Sequence, residues 1–276
     1  MKKATLMVAV AAASWGTWSL FLFPTGLPAQ ATMPIIFLVM GISSLAFVRR
    51  ERDATWDRTT YWLLAANTIF DAGNGVCFFS AYDHTTIAIA VLTHYAAPIV
   101  IALAAPYVDG VTIRGTRLAA AVALSGLVIV LEPWRSGHGL LGAALGFASA
   151  LFYAGNVFSV RRLAARIGAA RAMAYHSLLA AAITAPLGIA WYGRATSSAL
   201  ALLALGGIVV GTGAGIAFVT GLGRIGSARA AVLTFAEPLV AVAVGALVWG
   251  QELHPIAAVG GALVLAAGLH VARQAR

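Results

Sequence analysis

The sequence predicts an all-α membrane protein with ten transmembrane helices arranged as two inverted five-helix repeats. Of the 276 residues, 61% are hydrophobic and only 10% are charged, whereas soluble globular chains carry about 25% charged residues. Apolar residues run continuously for about 20 residues at a time, which is the length needed to cross the hydrocarbon core of a bilayer. A third observation is a sequence duplication at an offset close to half the chain length.

Ten apolar runs are separated by short polar loops, none long enough to fold as a separate domain. Helices are preferred over barrel strands because the runs lack a strict apolar–polar alternation. The first run follows Lys2-Lys3 like a signal peptide, but it exceeds the roughly 7–15 apolar residues typical of one, so we expect it to be retained. The predicted spans are Ala4–Phe23, Ala29–Val48, Tyr61–Ala81, Thr86–Pro106, Leu118–Leu131, Leu140–Val160, Ala169–Ala190, Ser197–Gly221, Ala228–Trp249 and Pro255–Val271.

The basic residues predict the orientation. Of the 18 Lys and Arg residues, 16 fall at the termini and in alternate loops, and only Arg135 and Arg194 fall on the opposite side. Positive residues favour the cytoplasmic side, so we predict a multi-pass protein of the plasma (inner) membrane with both termini cytoplasmic. Their dispersal over separate segments argues against nucleic-acid binding. The 16 are Lys2, Lys3, Arg49, Arg50, Arg52, Arg58, Arg114, Arg117, Arg161, Arg162, Arg166, Arg171, Arg224, Arg229, Arg273 and Arg276.

The duplication relates the fourth and ninth spans. An odd number of spans per repeat would invert the second copy in the membrane, as in many secondary transporters. We therefore predict repeats at residues 1–135 and 136–276; the alternative is chance similarity in an Ala-, Val- and Leu-rich chain. The matches at an offset of 140 are Ala88, Ala90, Tyr95, Ala96, Pro98 and Val100 with Ala228, Ala230, Phe235, Ala236, Pro238 and Val240.

Two segments carry a family resemblance. In residues 226–241, small residues precede Glu237-Pro238, the turn Gly250-Gln251-Glu252 follows, and Trp15-Gly16 lies in the first span. These segments resemble the ninth and first spans of EamA-type transporters of the drug/metabolite transporter superfamily. The resemblance implies a ten-helix carrier that moves small organic metabolites, often amino acids, outward. His94 departs from the family pattern, because the corresponding helix is usually less basic.

Asp71, His94 and Glu237 lie deep in their predicted spans, and each is a candidate for proton coupling. A charge at mid-membrane costs about 2.5–3.5 kcal/mol, so such residues usually face a cavity or a partner. Asn67, Asp71 and Asn74 follow i, i+4, i+7 spacing and share one helical face. The alternatives are an interhelical hydrogen-bond network for the stripe and support of a kinked helix for Glu237.

Aromatic and amide side chains complete the predicted pathway, and aromatic walls suit flat or cationic solutes. Pro98 and Pro238 are predicted gating hinges, because a proline removes a helical hydrogen bond; the alternative is a static kink. His176 is interpreted as structural. The predicted pathway residues are Trp15, Trp18, Asn67, Asp71, Asn74, Phe78, His94, Tyr95, Tyr153, Asn156, Thr234 and Glu237.

Enzyme and cofactor motifs are absent from the sequence. It has one cysteine, Cys77, and neither a His-Glu-x-x-His zinc motif nor a Gly-x-Ser-x-Gly nucleophile elbow. Gly207, Gly211 and Gly215 repeat every four residues, which predicts close helix contact. We expect no enzyme activity, no cofactor and no metal. The expected partners are a small-molecule substrate, the lipid bilayer and a second copy of the chain in a homodimer.

These observations predict a secondary active transporter that works by alternating access and exports amino-acid-like or related solutes, with proton coupling as a candidate mechanism. The alternative is a membrane-embedded binding or assembly protein that transports nothing. A third interpretation, an intramembrane enzyme, would require product formation that depends on Asp71 or Glu237.

Overall fold

The computed structural model describes residues 2–48, 54–85, 87–110, 115–132, 134, 139–250 and 255–273, and within these ranges the regular secondary structure is entirely helical. The all-α prediction is therefore confirmed for the described part of the chain. Several residues used in the sequence analysis lie outside the described residues, namely Arg49, Arg50, Arg52, Thr86, Arg114, Arg135, Gln251, Glu252 and Arg276.

The described residues of the first half of the chain form seven α-helices. They are α1 (Lys2–Trp15), α2 (Ser19–Leu22), α3 (Ala29–Val48), α4 (Arg58–Tyr82), α5 (Ile87–His94), α6 (Ala97–Val108) and α7 (Thr116–Leu131). A short 3₁₀ turn, Phe23–Thr25, follows α2.

The second half, over the part that the structure describes, forms eight α-helices. They are α8 (Leu140–Ile167), α9 (Ala169–Thr184), α10 (Ile189–Tyr192), α11 (Ser197–Gly206), α12 (Ala214–Ile225), α13 (Ser227–Leu233), α14 (Ala236–Trp249) and α15 (Ile256–Arg273). A 3₁₀ turn, Ala185–Gly188, joins α9 to α10, and a π-helical segment, Gly207–Gly213, joins α11 to α12.

Seven helical segments of the described chain are long and apolar enough to cross a membrane. Helix α4 has a sufficient length of 25 residues but carries the polar stripe, and α7 and α15 contain shorter apolar stretches. The seven segments are Lys2–Thr25, Ala29–Val48, Ile89–Val108, Leu140–Ile167, Ala169–Tyr192, Ser197–Ile225 and Ser227–Trp249.

Helix α8 continues about two turns beyond the predicted end at Val160. The predicted span ends before Arg161 and Arg162 because the sequence stops being apolar at these two residues. The helix continues because arginine and alanine are good helix formers, and its last turns carry the arginines out of the apolar layer.

The fourth and ninth predicted spans are each divided by a break. Helix α5 ends at His94 and α6 begins at Ala97, while α13 ends at Leu233 and α14 begins at Ala236. Pro98 and Pro238 lie in the first turn of the second helix in each case. This corrects the expectation of a proline inside a continuous helix, because a residue in the first turn needs no intrahelical N–H donor.

The glycine repeat makes the close contacts that its spacing predicts. A Cβ atom added at Gly207 would lie 2.7 Å from Val39 Cγ1, and one added at Gly211 would lie 2.5 Å from Met40 Cγ. Helix α3 therefore packs directly on this backbone. The π-helical form of the segment was not predicted, since it leaves no signature in hydropathy.

Four interfaces organise the bundle: α4 packs on α8, α1 on α12, α3 on α9, and α7 on α15. Helix α5 also packs on α8, α1 on α14, and α6 on α13. Large apolar side chains such as Leu38, Ile42 and Leu45 of α3 remain exposed on the outside. That apolar exterior suits contact with lipid.

Candidate functional site

A chain of polar side chains connects α4, α8 and α9 inside the bundle. Asn156 Nδ2 donates to Asp71 Oδ1 at 2.5 Å, and Asn156 Oδ1 accepts from Asn67 Nδ2 at 3.1 Å. Asn67 Nδ2 also lies 3.1 Å from Ser159 Oγ. His176 Nε2 completes the chain, 3.0 Å from Asp71 Oδ2. The Asp71 and His176 side chains are only 17% and 4% exposed, so the predicted stripe of α4 faces inward.

The contacts of His176 fix the number of protons in this network. Its Nδ1 atom lies 2.7 Å from the carbonyl oxygen of Ala172. A carbonyl can only accept, so Nδ1 carries a hydrogen. The hydrogen bond between Nε2 and Asp71 Oδ2 requires one further proton, located on either the imidazole or the carboxyl group. In both arrangements the pair has zero net charge, which reduces the cost of placing it in the bilayer.

His94 lies at the end of α5 in an aromatic environment. Its Nδ1 atom is 2.8 Å from Ser149 Oγ, which itself donates to the carbonyl oxygen of Gly146 at 2.7 Å. The serine hydrogen is thus used, and Nδ1 of His94 acts as the donor. The rings of Phe78 and Tyr153 are centred 4.5 and 5.5 Å from the imidazole. His94 is therefore held in a fixed orientation.

The two helix breaks meet in the centre of the molecule. The rings of Tyr95 and Phe235, one from each break, are centred 5.9 Å apart, and both side chains are buried. Tyr95 hydrogen-bonds the partly buried Glu237 side chain. The carbonyl oxygen of Glu237 would lie 2.4 Å from a Cβ at Gly16. The Trp15-Gly16 motif thus lets α1 approach the acidic end of α14.

Tyr153 joins the two polar regions. Its ring contacts His94, and its hydroxyl lies near Thr234 and within electrostatic range of Asp71 and Glu237. This hydroxyl is buried and has no well-aligned hydrogen bond within the described residues. The same holds for Oδ1 of Asn67 and of Asn74. Buried polar atoms are normally paired, so these three atoms mark positions where a bound molecule could supply the partner.

Three of the predicted pathway residues, Trp15, Trp18 and Thr234, have contacts with the backbone or with one further aromatic ring. Trp15 Nε1 donates to the carbonyl oxygen of Val210 at 3.2 Å, and its ring lies 4.8 Å from that of Phe218. Trp18 occupies the turn between α1 and α2. The Thr234 hydroxyl donates to the carbonyl oxygen of Ala231 at 2.7 Å.

His176 is the residue that sequence analysis missed. It was interpreted as structural, but it is the direct partner of Asp71, from a helix 105 positions further along the chain. Its spacing from Ala172, one helical turn, could have predicted the backbone hydrogen bond but not the pairing with Asp71. No group of three or more His, Cys, Asp or Glu residues suited to a metal ion occurs within the described ranges.

The helical bundle with buried ionisable groups defines a multi-pass membrane protein. Residues 140–272 match the model of the EamA-like transporter family. These residues, just under half of the chain, are similar to this family, which is part of the drug/metabolite transporter superfamily.

Comparison with solved structures agrees with this fold. One similar structure, described only as the crystal structure of a protein, has a TM-score of 0.83 and 24% sequence identity, and the match covers 98% of each chain. At this identity the likeness establishes the fold alone. No curated protein sequence matches the chain.

Proposed function

We propose that the chain is a secondary active transporter that exports amino-acid-like or related small organic solutes by alternating access. The match of residues 140–272 to the EamA-like transporter family supports movement of a small molecule. The observation that carries the proposal is the set of ionisable groups around the buried Tyr153 side chain, where His94 contacts the ring and Asp71 and Glu237 lie within electrostatic range of the hydroxyl. Ionisable groups inside a membrane bundle commonly mark a solute or ion pathway.

We infer that α4, α7 and α15 also cross the membrane, giving ten spans in two repeats, residues 1–135 and 136–276. In such a repeat, each of the first five spans corresponds to the span that comes five spans later in the chain. The repeat then relates the α1–α12 interface to the α8–α4 interface. The α3–α9 and α7–α15 interfaces are each related to themselves, because each one joins two corresponding spans. All four interfaces exist in the bundle, which supports an inverted repeat.

We propose that the protein lies in the plasma membrane and that both of its termini are in the cytoplasm. Four described arginines near helix ends support this orientation, because the ten-span topology places all of them on the same side of the membrane. They are Arg58, Arg117, Arg162 and Arg224. A concentration of positive charge at such ends is typical of the cytoplasmic face.

The chemistry of the cluster favours a solute with a hydrogen-bond donor. The unpartnered Oδ1 atoms of Asn67 and Asn74 are acceptors, and Asp71 and Glu237 add carboxyl groups. An ammonium group would satisfy such acceptors, while the rings of Phe78 and Tyr153 supply aromatic surface. These features support an amino-acid-like solute.

The proposed coupling group is the Asp71–His176 pair. It holds a single proton between a carboxyl group and an imidazole. Separating α4 from α9 would break this hydrogen bond, and the proton could then leave on the side open to water. A conformational change that opens the cluster would thereby be linked to proton release. His94 and Glu237 remain the other candidates.

The test uses purified protein in lipid vesicles, with a radiolabelled amino-acid mixture in the external buffer. We expect an imposed pH gradient to drive solute accumulation in the wild type. Asp71→Asn should abolish this accumulation but retain solute exchange at equal pH, because the neutral amide can still accept a hydrogen bond. Asp83→Asn, the same change at an exposed position after α4, should behave like the wild type.

Two results would count against the proposal in different ways. Binding without flux under any gradient would favour a membrane-embedded binding protein over a transporter. Normal gradient-driven accumulation by Asp71→Asn would leave transport standing but would remove Asp71–His176 as the coupling pair.

A further inference from the structure

A second site lies away from the central cluster, at the predicted cytoplasmic ends of three helices. An open cavity of about 490 Å³ is lined by the last turns of α8, the start of α9 and the end of α12. Three arginines contribute to its lining, together with small residues and one hydroxyl side chain. The residues that define it are Arg161, Arg162, Ala169, Thr220, Gly223 and Arg224.

The charges around this cavity are unbalanced. Asp109, which follows α6 and has a side chain only 4% exposed, forms ion pairs with Arg161 Nη1 at 2.8 Å and with Arg162 Nη2 at 3.7 Å. Arg162 Nη2 also donates to the carbonyl oxygen of Val108. One carboxylate therefore faces two guanidinium groups, and Arg224 adds a third positive charge. The lining has an excess of positive charge that a bound anion would offset.

The hydrogen-bond donors of the cavity lining also favour the binding of an anion. Arg161 Nε is buried and has no hydrogen-bond partner in the described chain. Ala169 is the first residue of α9, a helix of 16 residues, so the positive end of that helix dipole faces the cavity. Thr220 adds a hydroxyl group, and Gly223 leaves space beside Arg224. Guanidinium groups with a helix N-terminus are the usual protein donors to phosphate.

We propose that this cavity binds a phosphate group, carried by the headgroup of an anionic phospholipid or by a soluble phosphate ester. Phosphate suits the arrangement because its oxygens accept hydrogen bonds from several guanidinium groups at once. Basic cavities between membrane helices on the cytoplasmic side are known to hold anionic headgroups. The site involves neither Asp71 nor Glu237, so it does not depend on the transport proposal.

The experiment measures binding to purified full-length protein in neutral detergent. Native mass spectrometry would compare retained phosphatidylglycerol with retained phosphatidylcholine. Thermal unfolding would be followed with inorganic phosphate against chloride at equal ionic strength. Arg224→Gln should weaken binding about tenfold or more, since it removes charge-assisted donors without breaking an ion pair with Asp109. Arg117→Gln on α7 is exposed and makes the same charge change outside the cavity, so it should bind as the wild type does.

The two arms identify the source of the phosphate. Selective retention of phosphatidylglycerol alone indicates a lipid site, and stabilisation by inorganic phosphate alone indicates a soluble ligand. If Arg224→Gln does not fold, Thr220→Val tests the same site and should also weaken binding. Equal binding by the cavity variant and Arg117→Gln would overturn the proposal, as would the absence of any preference for phosphatidylglycerol or phosphate.

Discussion

Two interfaces of the bundle differ sharply in chemistry. Helix α4 meets α8 through side-chain hydrogen bonds from Asn67 to Asn156 and from Asn156 to Asp71. Helix α1 meets α12 through a glycine, because a Cβ at Gly221 would lie 2.6 Å from Val8 Cγ2 and 2.8 Å from the carbonyl oxygen of Ala4. The α4–α8 interface also has close contacts at Gly73 and Gly155, with the rings of Phe152 and Phe70, but it adds polar groups that the contact at Gly221 lacks.

The comparison separates two requirements of a membrane bundle. Close approach at a glycine gives packing energy and a fixed distance between helices. Hydrogen bonds between amide and carboxyl groups also hold helices together, but they are polar groups that a solute or proton can engage. The α4–α8 interface therefore combines structure with chemistry, and the α1–α12 interface supplies a rigid support beside it.

Truncating the centre of the polar interface should have the largest effect on stability. Asn156→Ala would leave Asp71 Oδ1 and one donor of Asn67 without this partner, and we expect the free energy of unfolding to fall by about 2–4 kcal/mol. The measurement is a denaturant titration in detergent, followed by circular dichroism.

The matched control for this change is Asn74→Ala. Asn74 lies on the same stripe of α4, but its Oδ1 atom has no hydrogen-bond partner among the residues that the structure describes, so its loss should cost less than about 1 kcal/mol. Equal costs at the two positions would show that the hydrogen bonds of Asn156 do not hold the interface.

A methyl group at the glycine contact should have an intermediate effect. In Gly221→Ala the new Cβ must displace Val8 and the α1 backbone, which we expect to cost about 1–3 kcal/mol. Gly223→Ala is the control two residues further along α12, where nothing lies within 4 Å of the added atom. It should be neutral or stabilising by up to about 1 kcal/mol through helix propensity. Parallel titrations that rank the two variants in the opposite order would contradict the proposed contact.

The smallest effect should come from the cap of α4 outside the membrane. The Thr60 backbone N–H donates to Asp57 and, with the Thr60 hydroxyl and Arg166, lowers the Asp57 pKa from its ordinary value of 3.8. Because the folded-state pKa is depressed, this stabilisation is complete above pH 3.8. It is lost as the pH falls through the lower folded value. Asp57→Asn keeps a capping oxygen and should remove this acid dependence in melting curves recorded from pH 6 to 3. An unchanged pH profile would refute the role of Asp57.

Sequence alone predicted the all-α fold and the inward stripe of Asn67, Asp71 and Asn74, because helical periodicity determines which residues share a face. It also named Tyr153 and Asn156 among the predicted pathway residues, and in the structure Tyr153 contacts His94 and Asn156 donates to Asp71. Periodicity could not predict the partner of Asp71, because pairing between α4 and α9 depends on how the helices pack.

The helix breaks were the other feature that hydropathy could not predict. The segment around Tyr95 and Ala96 is as apolar as the helices on either side, so it looks continuous in composition. Its prolines were recognised, but their position relative to the break depends on backbone geometry. Hydropathy also failed to predict that α8 extends beyond the predicted span, since charged residues end an apolar run without ending a helix.

The fixed hydrogen on His176 Nδ1 has a consequence for energetics. With that atom committed to the Ala172 carbonyl, the Asp71–His176 pair can release only one proton. A carrier that relied on this pair would move one proton per turnover. A difference of one pH unit, worth about 1.36 kcal/mol, would then concentrate an uncharged solute no more than about tenfold in the absence of a membrane potential. The number of protons that the pair releases per transport cycle would thus limit the solute concentration gradient that the carrier can maintain.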